Sequence, residues 1–373
     1  MVKKLLFVID NLSTGGAQRQ MVNLAMGLQQ CGYQVEFFCY AEGDLLAKPL
    51  YAAGIPVHWQ IKTSRYSIDV IQALRKLIRQ NHYDLALAFL TTPSFYAIVS
   101  GRLAARNLPI VVSERFTDLP GRVSRRERMT RELYRFANQV TANSYHQRDN
   151  LARKYPYLKD RLSTIYNGYD LEAFFPPDQE PLNDPLRILT IASISPYKNG
   201  LCLVEALHIL REKYHLAPHV DWIGQRLRMG ERLEYLNAMD SKIAEYGLKS
   251  QWQWLDQRSD IVDQMQQHDL LVHPSYGEGL PNVVCEALAC GRPVVVSDVL
   301  DHARLVQDGV SGYLFNVDQP AELAERIAQF SALSAEERRA MGQSGRRFAE
   351  ENLSLSRFVN DYDRLFQSLK REG

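Results

Sequence analysis

Two parallel α/β domains in tandem are predicted by three observations. Apolar runs of strand length alternate with helix-length amphipathic stretches, the alternation halts at a polar, proline-punctuated segment around residues 167–185, and then it restarts. A chain of 373 residues that is 46% apolar can bury two cores of ordinary size.

The first strand is expected at residues 5–9. Ser13 and Thr14 are residue types that cap helices, and residues 17–30 carry helical periodicity through Met21, Leu24, Ala25 and Leu28. A strand at 35–40 completes a β-α-β unit, and apolar strands recur at 85–89 and 110–113. Pro176, Pro177, Pro181 and Pro185 break the pattern. Strands at 186–192, 220–224, 251–255, 270–273, 294–297 and 313–315 then build a second Rossmann-like domain. The last helix places Phe358, Tyr362, Leu365, Phe366 and Leu369 on one apolar face, which needs a partner and is expected to dock back on the first domain. The expected division is 1–170 with the returning helix 356–373, and 171–355.

A net charge of +1 gives no global attraction to polyanions, so no nucleic acid partner is expected. Cys31, Cys39, Cys202, Cys285 and Cys290 form an odd set without a C-x-x-C pair, which argues against a disulfide framework or structural zinc and for a reducing, cytoplasmic setting. The short apolar run after Lys3 and Lys4 meets Asp10 before reaching signal-peptide length. No apolar segment approaches the ~20 residues that span a bilayer, so any membrane contact is expected to be peripheral.

The sharpest chemical signal is Glu278 and Glu286, eight positions apart around Gly279-Leu280-Pro281-Asn282. Residues 274–279 break an apolar strand, Pro281 suits a first helical turn, and Gly291 suits a C-terminal cap. Glu278 therefore falls on the loop and Glu286 inside the helix, with roughly a nanometre between them. The helix start between them favours an anion. Gly15 and Gly16 lie between the first strand and first helix, where missing side chains let a phosphate reach backbone N–H groups; a plain tight turn is the alternative. Neither G-x-G-x-x-G nor a G-K-[ST] ending is present, which removes support for hydride and phosphoryl transfer. In the second half Ser193 and Lys198 occupy the equivalent turn, and a lysine at a helix entry opposes the dipole unless an anion compensates it.

Together with the stretch Ile165-Tyr166-Asn167-Gly168-Tyr169-Asp170, these segments resemble the retaining GT4 glycosyltransferases, with their E-x7-E motif, over nearly the whole chain. The resemblance implies a GT-B fold, two Rossmann-like domains facing across a donor-binding cleft. It implies that Glu286 holds the donor ribose, Glu278 faces the transferred sugar with backbone amides from Gly279 to Asn282, and Lys198 neutralises the departing diphosphate. Gly16, from the other domain, would approach the phosphates on closure. No cofactor and no metal are implied. Asp361-Tyr362-Asp363 has D-x-D form, but alternate positions on a helix do not converge on one ion.

Three departures from the family pattern stand out. Ser193 takes the place of an arginine, for which Arg258 is a candidate substitute. Where relatives carry a histidine on the acceptor side, this chain has Glu114 and Arg115, either as substrate-facing substitutes or as a loop salt bridge. Arg304 replaces a glutamate and is read as a surface change. His273 and the cysteines of the following helix are read as buried structural residues.

Arg122, Arg125, Arg126, Arg128, Arg131 and Arg135 crowd residues 122–136, and helical spacing puts Arg125, Arg128, Arg131 and Arg135 on one face beside Met129, Leu133 and Phe136. That helix suits anionic headgroups at the inner face of a plasma membrane or a polyprenyl-diphosphate-linked glycan acceptor; Glu132 equally allows an ion-paired surface helix. The expected activity is transfer of a hexose or N-acetylhexosamine, UDP-linked by preference, to a glycan in bacterial surface polysaccharide assembly, with an α-linked product. A nucleotide-sugar epimerase and a non-catalytic nucleotide-sugar binder are the alternatives.

Overall fold

Strands covered on both faces must be apolar along their whole length, and that is why the central strands of this chain are its most hydrophobic segments. A computed structural model describes residues 3–13, 15–64, 67–105, 107–116, 124–225 and 230–371. Thr14 and Arg122 lie outside the described residues. Two compact units are formed, Met1–Gly168 with Leu355–Gly373, and Tyr169–Ser354.

In the first unit, β1 (Lys4–Ile9), β2 (Gln34–Cys39), β3 (Val57–Trp59), β4 (Leu85–Phe89), β5 (Ile110–Glu114), β6 (Gln139–Ala142) and β7 (Leu162–Thr164) form one parallel sheet. Its order is β3-β2-β1-β4-β5-β6-β7. The second unit carries β8 (Arg187–Ile191), β9 (His219–Ile223), β10 (Trp252–Leu255), β11 (Leu270–His273), β12 (Val294–Ser297) and β13 (Gly312–Phe315), ordered β10-β9-β8-β11-β12-β13. Both are parallel throughout, with connecting helices on the faces. The sequence pattern misses β3, β6 and β7. The two outer strands are three residues long and only half-buried, and β6 includes Gln139 and Thr141, so none presents a long apolar run.

The helix Leu355–Arg371 belongs to the first unit and packs on the helix Gly16–Gln30. Phe358, Tyr362 and Phe366 are buried in the same core as Met21, Leu24 and Leu28. Two glycines permit that approach. A Cβ on Gly27 would lie 2.4 Å from Val359, and one on Gly168 would lie 2.6 Å from Phe358. Gly27→Leu is expected to press the two helices apart, costing about 1–3 kcal/mol by overpacking against roughly 1 kcal/mol regained by removing glycine from a helix interior. Thermal unfolding should show the net loss; an unchanged melting temperature would mean that this packing contributes nothing.

Asp361 and Asp363 diverge as expected of a helix. Asp361 pairs with Arg364 at 3.2 Å, whereas Asp363 accepts from the Tyr33 hydroxyl.

Candidate active site

In the second unit β8 ends at Ile191, and the chain turns through Ala192 and Ser193 into a short 3-10 turn, Pro196–Lys198. The turn is held from below, because Trp222 Nε1 donates to the Ala192 carbonyl at 2.8 Å. Asn199 adopts a left-handed conformation at φ 52°, which lets the helix Gly200–Tyr214 begin immediately after Lys198. Ser193 is partly exposed on this turn.

A second loop is fastened to the first. Tyr276 N donates to the Tyr197 carbonyl at 2.8 Å, and Ser275 Oγ donates to the same oxygen at 3.1 Å. From behind, Ser297 Oγ donates to the Ser275 carbonyl at 2.6 Å. These bonds bring Lys198 and Glu278, eighty positions apart in sequence, into direct side-chain contact. Burial pushes the Lys198 ammonium down to about 8, against the pull of the adjacent Glu278 carboxylate.

Gly279, Leu280 and Pro281 are buried and lead into the helix Asn282–Ala289. Pro281 stands one residue earlier than expected, at the N-cap and not in the first turn; its carbonyl accepts from Val284 N and Cys285 N and so starts the helical ladder. The N-cap residue, Pro281, makes no side-chain capping bond to this helix. Tyr169 OH donates to Asn282 Oδ1 at 2.6 Å, and fixes the helix start from the beginning of the unit. Glu286 is buried one turn further along. At the far end Arg346 Nη1 donates to the carbonyls of Ala289 (2.5 Å) and Phe174 (2.6 Å), a cation matched to a helix C-terminus.

His273, the last residue of β11, is a site neighbour that the sequence reading set aside. It is buried as expected, but its Nδ1 has no hydrogen-bond partner among the described residues, and its Nε2 lies 3.3 Å from Glu278 Oε1. Burial and the positive charge of Lys198 hold its ring far below the ordinary histidine range, hence neutral. A buried imidazole with unmet hydrogen-bonding capacity beside a carboxylate is the signal that a run of apolar residues along a strand conceals.

Arg258 does not join this group. It clasps Asp260 bidentately at 2.5 and 2.7 Å on the exposed loop after β10. Arg304 is exposed, in keeping with a surface position.

In the first unit Gly15 caps the helix Gly16–Gln30 without a side-chain hydrogen bond, so the capping expected of Ser13 is not made; Thr14 is not described. A Cβ on Gly15 would fall 2.1 Å from Gln18 Oε1, while Gln18 Nε2 donates to Asp10 at 2.9 Å. Glycine here leaves the room that the Gln18 side chain takes beside the first turn.

Glu114 and Arg115 are both buried. Glu114 is 1% exposed, and Arg131 Nη2 (3.0 Å), Thr91 Oγ1 (3.3 Å) and the Tyr134 hydroxyl occupy its carboxylate. Arg115 donates to Asn167 Oδ1 at 2.6 Å and to Tyr362 OH at 2.9 Å, with its guanidinium 3.7 Å from the centre of the Phe89 ring. Both side chains are thus engaged within the unit. The basic face also changes. Arg131 turns inward to Glu114, Arg135 pairs with Glu132 at 2.6 Å, and Arg125 and Arg128 remain exposed. Arg122 lies outside the described residues. Among the described residues no group of three or more potential metal ligands gathers, and no helix is long and apolar enough to cross a membrane.

Two α/β units, each built on a parallel Rossmann-like sheet, are the architecture of the GT-B class. Over 98% of the chain the fold matches an Anabaena protein, HepE, solved with UDP-glucose, with a TM-score of 0.81, 21% identity and 99% of that chain covered. A glycosyltransferase from Rickettsia africae matches over the full length of both chains with a TM-score of 0.86 and 18% identity. A family model for glycosyl transferases group 1 matches residues 173–348, and one for glycosyltransferase family 4 matches residues 14–173. The chain belongs to this glycosyltransferase family. Among curated relatives, a D-inositol 3-phosphate glycosyltransferase of Streptomyces bingchenggensis is 28% identical over 213 residues, 52% of this chain and 46% of the relative. An N,N'-diacetylbacillosaminyl-diphospho-undecaprenol alpha-1,3-N-acetylgalactosaminyltransferase of Campylobacter jejuni is 31% identical over 119 residues, 31% of each chain. The chain thus spans about half the length, or less, of the curated relatives it matches.

Proposed function

We propose that this chain is a retaining, metal-independent glycosyltransferase that moves a hexose or N-acetylhexosamine from a UDP-sugar to a lipid-linked glycan acceptor in bacterial surface polysaccharide or glycoconjugate assembly. The observation that carries the reading is the fastening of Lys198 against Glu278 beside a helix start whose N-cap residue makes no side-chain capping bond and which leads to the buried Glu286. Support for a uridine nucleotide comes from the fold neighbour solved with UDP-glucose, and support for a lipid-linked acceptor from the relative named for a diphospho-undecaprenol substrate.

In this reading Glu286 holds the donor ribose, and Lys198 with the backbone of Gly279 to Asn282 receives the diphosphate. Glu278 then turns from Lys198 to the sugar. The acceptor oxygen forms its bond to the anomeric carbon on the face the nucleotide leaves. The bond from that carbon to the phosphate oxygen breaks, and the acceptor's proton passes to the departing phosphate. UDP and an α-linked product result. Lys198 meets the charge that grows on the leaving group, where preorganised electrostatics is worth most.

Incubation with a panel of nucleotide sugars, followed by detection of free nucleoside diphosphate, tests the proposal. Release from a UDP-sugar, accelerated by a lipid-linked glycan, is expected. A changed sugar without release would point to epimerisation, and neither change would leave a binder.

The state of Lys198 also sets a pH dependence. Its pKa of about 8 is raised when an anion docks, so binding takes up a proton wherever the free amine has lost one. UDP affinity is therefore expected to hold below about pH 8 and to fall by up to roughly tenfold per pH unit above it. Calorimetric titration across that range checks this, and affinity unchanged a full unit above the lysine's pKa would remove Lys198 from the phosphate site.

A further inference from the structure

Three helices of the first unit, Ile68–Gln80, Thr91–Leu103 and Arg125–Glu132, leave a groove of about 520 Å³ between them. They follow β3, β4 and β5 in the chain, and the groove runs along the Arg125–Glu132 helix beside the first halves of the other two.

The walls are apolar: Ile68, Ile71, Phe95, Met129 and Leu133. Ile68 is 67% exposed and Met129 72% exposed. Among the described residues neither side chain is covered, so the two apolar groups face water across one concave surface. Arg125 and Arg126 border the same groove, and Arg128 is exposed on the same helix. The acid among them, Glu127, is folded back to accept from Ser124 N and Ser124 Oγ, both at 2.8 Å, in a capping box. Glu132 is turned to Arg135. The rim is accordingly basic beside an apolar floor, the complement of an anionic head on a hydrocarbon tail.

We propose that this groove binds the hydrocarbon chain of a single phosphorylated lipid, with the phosphate at Arg125 and Arg126. Its volume falls in the range of small-molecule sites of roughly 300–1,000 Å³. A concave channel of that size encloses one chain, whereas adsorption on a bilayer calls for a flat or convex apolar face. The proposal rests on the reading of a lipid-linked acceptor and locates the part of that acceptor the glycan chemistry leaves unassigned.

Farnesyl diphosphate, titrated into the full chain with excess inorganic diphosphate to occupy other phosphate sites, is the probe. Saturable one-to-one binding is expected in the wild type. Ile68→Asp and Met129→Asp should each weaken it by roughly tenfold or more, as expected from the loss of apolar contact along the chain, and Arg125→Glu should weaken it through the head. Both apolar positions are exposed, and an aspartate at the first turn of the Ile68–Gln80 helix suits the dipole, so the variants are expected to fold. Equal affinity in the Asp variants would overturn the proposal. So would association only with phosphatidylglycerol vesicles and not with monomeric farnesyl diphosphate. A UDP thermal shift measured on the same proteins without inorganic diphosphate separates the two readings: its absence in the wild type would end the donor assignment while lipid binding stood, and its retention in the Asp variants would tie their defect to the groove.

Discussion

Glu278→Ala is expected to lower turnover by roughly 10²–10³-fold, with UDP-sugar affinity unchanged or slightly improved. The reason lies in its contact with Lys198. In the free chain the carboxylate occupies the lysine, so its removal leaves the ammonium to the diphosphate at no cost in ground-state binding. What is lost is the interaction made as the sugar separates from its phosphate, and such a loss appears in kcat rather than KM. Glu286→Ala should behave oppositely. Its buried carboxylate sits on a rigid helix one turn beyond the loop, suited to binding and not to motion, so the Michaelis constant should rise by about tenfold or more with a smaller change in turnover. Steady-state kinetics on both variants checks the split, and near-native parameters in both would dismantle the assignment.

The second large effect concerns stability. Arg131 and Glu114 form a pair that is almost wholly withdrawn from water, with side-chain exposures of 3% and 2%. Arg131→Ala would leave the Glu114 charge buried with Thr91 and Tyr134 as its remaining hydrogen-bond donors. A loss of about 3–5 kcal/mol is expected, read from urea unfolding. The double variant Arg131→Met with Glu114→Gln should recover much of it, because the uncompensated charge is gone. Equal unfolding midpoints for wild type and Arg131→Ala would show that water reaches the pair.

How much of this was legible in the sequence depends on the range of the interaction. β1, β4 and β12 are continuous apolar runs and declare themselves locally, as does the loop-to-helix passage around Glu278 and Glu286. The three-residue edge strands β3 and β7 draw their stability from neighbours, so their own residues carry little signal. The same divide runs through the site residues. Lys198 and Glu278 are visible as separate motifs, but their contact depends on bonds between Tyr197 and the 275–276 segment. Glu114 and Arg115 look available in sequence because their partners, Arg131, Tyr134, Asn167 and Tyr362, are 17 to 247 positions away. His273 reads as structural because a histidine in an apolar strand is ordinarily satisfied; here folding brings its Nε2 to 3.3 Å from Glu278 Oε1.

The most direct test of the donor site is calorimetric titration of UDP into the wild type and into Glu286→Ala under identical conditions. Binding to the wild type is expected, with affinity at least about tenfold weaker in the variant, since removing a buried carboxylate that pairs with ligand hydroxyls leaves those hydroxyls unsatisfied. Equal affinity in the two proteins, or no binding to the wild type, would contradict it.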